Sequence, residues 1–147
     1  MPDFPSLDTL FVPFLKVQFE RKMLSFLKNH GENVNTKITI LYTTIGSAIE
    51  AEKLAKQAVA QGYAACVNII PGALSIYEWE GKIEKSEEHL MIFKTTPIQS
   101  AALEQWISQN HPYSVPALLQ GHVNASHPFS EYVHNMIPLK DSHQEQK

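Results

Sequence analysis

The chain has 147 residues, 44% of them apolar and 18% charged, and a net charge of −3 with His counted neutral. That balance fits one packed domain with room for an appendage, excludes wholesale disorder, and gives no electrostatic motive for a nucleic acid or anionic membrane partner. One cysteine cannot form an internal disulfide, which suits a reducing compartment and makes the cytoplasm the default location.

Residues 1–36 read as an N-terminal extension. Three prolines and two aspartates within the first thirteen positions argue against regular structure there. The apolar run Leu10 to Leu15 is short, broken by Pro13 and preceded by acids, so neither a signal peptide nor a membrane span is expected. Over 16–29, Phe19, Met23, Phe26 and Leu27 share one helical face, and His30-Gly31 reads as the stop. This helix is expected to pack on the domain or on a neighbouring subunit. A partner-binding or membrane-surface helix, or a true start at Met23, is the alternative.

Lys37 to Thr44 is a strand rich in β-branched residues. Ser47 and Glu50 have capping-box spacing, and the helix they open should end at Gly62. Its expected buried stripe is Ala51, Leu54, Ala55 and Ala58, with Glu52 and Lys56 an exposed pair on the other side. Strands are expected over 63–70 and from 73 to 83, with Pro71-Gly72 as a type II turn between them and a bulge at Gly81. Ser75, Tyr77 and Trp79 should face one way, Ile76, Glu78 and Glu80 the other. The charged run Glu84 to Glu88 reads as a hairpin tip, and 89–95 as a strand apolar on both faces. Thr96-Pro97-Ile98-Gln99 starts a helix to about Asn110 whose inner face is Ala102, Leu103, Trp106 and Ile107. A weaker strand over 117–123, a short helix over 128–137 and a polar tail over 138–147 complete the chain.

The order is α+β, a ferredoxin-like βαββαβ sandwich with a long bent hairpin over 74–95 and a C-terminal helix. A helix-bare sheet face carrying Cys66, Tyr77 and Trp79 would be an exposed apolar surface, so association between copies has a physical motive.

The stretches AACVNIIPG, SIYEWEGKI and HPYSVP, in this order, resemble the CutA divalent-cation tolerance family over about residues 37–137. The resemblance implies a ferredoxin-like protomer in a homotrimer, a link to tolerance of copper and other divalent cations, and no agreed enzymatic reaction. Animal members are associated with anchoring a cholinesterase, so a protein partner is a second expectation. Copper ligands would be Cys, His or Met. His111 matches a histidine proposed as a metal ligand in some bacterial members, together with a cysteine at the end of the first strand and an acid after the HPYxxP proline. Here the first strand ends LYTT and Ala117 stands at the acid's position, so two of the three proposed ligands are missing. A helix-end role for His111 is favoured, and Cys66 reads first as a small buried hydrophobe and second as a ligand. His30, His89, His122, His127, His134 and His143 are scattered and expected to be solvated. Glu78, Glu80 and Lys82 flank Trp79; alternating charges there suit a solvated face or inter-subunit ion pairs better than acid–base catalysis. No nucleophile motif, Walker A loop or GxGxxG appears. The expected pocket is an inter-subunit cleft near Tyr77, Trp79 and His111.

Overall fold

A computed structural model describes residues 36–137. The expected helix over 16–29, with nearly all of the N-terminal extension, and the tail over 138–147 lie outside the described residues. Seven elements follow one another: β1 (Lys37–Ile45), α1 (Ala48–Ala60), β2 (Cys66–Trp79), β3 (Lys82–Thr95), α2 (Ser100–Asn110), β4 (Leu119–Asn124) and α3 (His127–Met136). The sheet order is β2-β3-β1-β4, with every neighbouring pair antiparallel. This is the expected βαββαβ arrangement.

Local signals placed α1 well. The Ser47 hydroxyl accepts the Glu50 N–H at 3.3 Å. At the other end Gly62, at φ 73°, lets the Gly62 and Tyr63 amides donate to Val59 and Ala58, a Schellman closure. Ala51, Leu54, Ala55 and Ala58 are the buried stripe, and Glu52 and Lys56 pair on the solvent side at 2.6 Å. The small stripe lets α1 lie close to the sheet, where Leu41, Ile45, Met91 and Phe93 meet Leu54, Leu103, Trp106 and Ile107 in the main core. Tyr63 stacks on Trp106, centroids 5.2 Å apart.

Ile38 is three positions from Leu41, so it faces the opposite side of the sheet. There it packs with Ala65, Val133 and Ile137, which seats α3 on that side. The sheet face expected to be bare of helices is therefore partly covered at the Ile38 end.

The hairpin differs from expectation in two ways. The segments 63–70 and 73–83 are not two strands joined by a turn. They form one strand, β2, with a bulge between Ile70 and Ala73, where Pro71 and Gly72 together oppose His89. Gly72 does take a positive φ of 81°, and Pro71 is tolerated because β2 lies at the sheet edge. Likewise Gly81 is not a bulge. Glu80 and Gly81, at φ 49° and 78°, are the two central residues of the hairpin turn, as a type I′ turn requires. The charged run 84–88 is part of β3 and not a tip. The result is a two-stranded arm that carries residues 73–88 to the turn, paired from Ala73–Glu88 to Trp79–Lys82.

Candidate functional site

Three segments converge at the base of this arm: the end of β1, the start of the paired arm, and the residues that follow α2. Glu88 is at their centre, only 7% exposed. Ser75 donates to its Oε2 at 2.5 Å and the Tyr113 hydroxyl to its Oε1 at 2.8 Å. The Tyr113 oxygen in turn accepts the Gly46 N–H at 2.9 Å. A Cβ on residue 46 would lie 3.1 Å from that oxygen, so glycine gives the phenol its approach to the chain just ahead of α1.

His111 closes the network from the other side. Its Nδ1 accepts the Tyr113 N–H at 3.1 Å. In the neutral ring the proton therefore sits on Nε2, which donates to the Thr44 carbonyl at 3.1 Å and lies 3.1 Å from the Thr43 hydroxyl. The His111 N–H also closes α2 on the Ile107 carbonyl. Both ring nitrogens are thus committed, and the His111 and Tyr113 rings meet edge-on at 5.0 Å.

Burial pushes the His111 pKa below its ordinary 6.5, outweighing the Thr44 carbonyl and the Glu88 and Glu50 carboxylates, which pull the other way. For Glu88, burial pushes upward, but the hydroxyls of Ser75, Tyr113 and Thr44, with His111 beside them, hold the carboxyl below 4.5. Burial and then the bond to Glu88 raise Tyr113 above 10.0, against the Gly46 amide. The signs give a testable profile. His111, depressed in the folded state, leaves the unfolded chain binding more protons as pH falls below 6.5, so stability declines there; the Glu88 contribution is lost in turn as pH falls below 4.5. Urea midpoints measured from pH 8 to 3 should fall in two stages, and His111→Gln should remove the first. A first stage that persists in His111→Gln would assign it to another group.

The expected site residues divide. Tyr77, Trp79 and Lys82 share the ribbon face of Ser75 and Glu88, since Trp79 pairs with Lys82, Tyr77 with Glu84 and Ser75 with Ser86. Tyr77 is close enough to Tyr113 for its charge to raise the latter's pKa. Glu78 is on the other face, opposite Ile83, and Glu80 is in the turn. Cys66 is a half-buried free thiol opposite Lys94. It is four residues along β2 from Ile70, whose partner Leu90 pairs with Thr44, so about 13 Å of sheet separates Cys66 from the His111 end. Among the described residues no three His, Cys, Asp or Glu side chains converge as a metal site would need. With both His111 nitrogens engaged and Ala117 at the expected acid position, the donor set of the described residues does not fit a copper centre.

Of the scattered histidines, His122 hydrogen-bonds the Thr39 hydroxyl at 2.7 Å and His134 bonds back to the Ser130 carbonyl at 2.8 Å. His89 is half-buried, with its Nδ1 enclosed and unpartnered, in contrast to the solvated reading. Sequence reasoning missed Glu88, Ser75 and Tyr113 as a unit. A two-residue turn at Glu80-Gly81 sets Glu88 diagonally beside Ser75, but no local signal brings Tyr113 to them across 25 positions.

The profile of the CutA1 divalent ion tolerance protein matches residues 39–136, across both halves of this network. The chain belongs to that family. It is 38% identical over 109 residues to Protein CutA, chloroplastic, of Arabidopsis thaliana, covering 74% of this chain and 60% of that protein. It is 41% identical over 85 residues to the divalent-cation tolerance protein CutA of Escherichia coli, covering 58% of this chain and 76% of that one. Among solved structures, CutA from Synechococcus elongatus superposes with a TM-score of 0.68 at 36% identity, over 71% of this chain and 93% of the other. CutA1 from Oryza sativa does so with a TM-score of 0.69 at 29% identity, over 74% and 100%. CutA relatives carry different locations in their names, chloroplastic in Arabidopsis and periplasmic in Archaeoglobus fulgidus. In this chain no helix among the described residues is long and apolar enough to cross a membrane.

Proposed function

We propose that this CutA family member acts in divalent-cation tolerance as a non-enzymatic homotrimer of the cytoplasm, binding metal weakly within each copy. The observation that carries the assembly is the arm. Ile76 is 66% exposed, Ile83 73% and Trp79 64%, and these residues lie on both faces of a two-stranded ribbon. A lone ribbon with apolar residues on both sides is marginal in water, and neighbouring copies would bury them. The relatives' names support the tolerance role. Light scattering of the full chain at micromolar concentration should give three times the chain mass; a monomer would overturn the assembly. Calorimetric titration with Cu²⁺ should give a weak isotherm that His111→Ala leaves unchanged, and loss of binding in that variant would restore His111 as a ligand.

A second reading is favoured by the same arm and by the Tyr77–Tyr113 side of the network. Here the trimer is an interaction module holding a protein or small ligand at its inter-subunit clefts. Co-purification with wild type but not with Tyr77→Ala would select it.

A further inference from the structure

We draw no further inference here: the strongest candidate, the exposed apolar patch that Phe129, Tyr132 and Met136 form along one side of α3, carries nothing because nothing in the structure shows what covers it.

Discussion

Replacing Ile76 and Ile83 together by Glu should convert the proposed trimer to monomer while leaving the fold of each copy intact. The two side chains share one face of the arm, because Ile76 pairs with Lys85 and Ile83 with Glu78 on that side. Both are largely exposed in the single copy, so their replacement removes nothing from the main core around Phe93, Leu41 and Leu103. Burying two isoleucines against a neighbour stabilises the assembly by about 3–6 kcal/mol per copy, and burying two carboxylates in their place adds a desolvation penalty. Each 1.4 kcal/mol is a factor of ten, so association should weaken by at least about a hundredfold. Sedimentation or light scattering would show the change, with far-ultraviolet circular dichroism unaltered. A variant that stays trimeric at micromolar concentration would move the interface away from this face. Loss of the dichroism signal would show that the arm supports the protomer itself.

Glu88→Ala should destabilise the protein by about 2–4 kcal/mol at pH 7, because it leaves the Ser75 and Tyr113 hydroxyls without their charged acceptor. Glu88→Gln keeps one carbonyl oxygen and should lose roughly half as much. The sign of the pH effect follows from the depressed carboxyl: the stabilisation is fully present above pH 4.5 and is lost as the pH falls through the lower folded value. The gap between wild type and Glu88→Ala should therefore close in strong acid. Urea unfolding at pH 7 and again near pH 3 measures both. A Glu88→Ala variant within about 0.5 kcal/mol of wild type at pH 7 would mean that water replaces the carboxylate at little cost. Tyr113→Phe removes the link between Gly46 and Glu88 and should fall between the two substitutions.

What could be read ahead of the structure was local. Ser47 and Gly62 bound α1, the four-residue stripe identified its buried face, and Leu103, Trp106 and Ile107 did the same for α2. The βαββαβ order and the motif stretches led to the family. The arm is not legible in this way because the usual signals conflict there. Glu80 takes a positive φ, which is uncommon for a residue other than glycine, and the run Glu84 to Glu88 is charged enough to pass for a loop. Both faces of the arm carry exposed apolar and charged residues, so no alternation of buried and solvated positions marks the register.

Helix caps, buried stripes and the alternation of strands depend on neighbours a few residues apart, and the amino-acid order by itself determined them. The turn at Glu80-Gly81 was within that reach as well. Tertiary structure alone decided the role of Glu88. Its partners Ser75 and Tyr113 are 13 and 25 positions away, and His111 meets Thr43 across 68. Such contacts exist only when β1, the arm and the end of α2 are brought together by burial of the shared core. Against the upward push of burial, the hydroxyls gathered there keep an ordinary glutamate of a charged run ionised inside the fold.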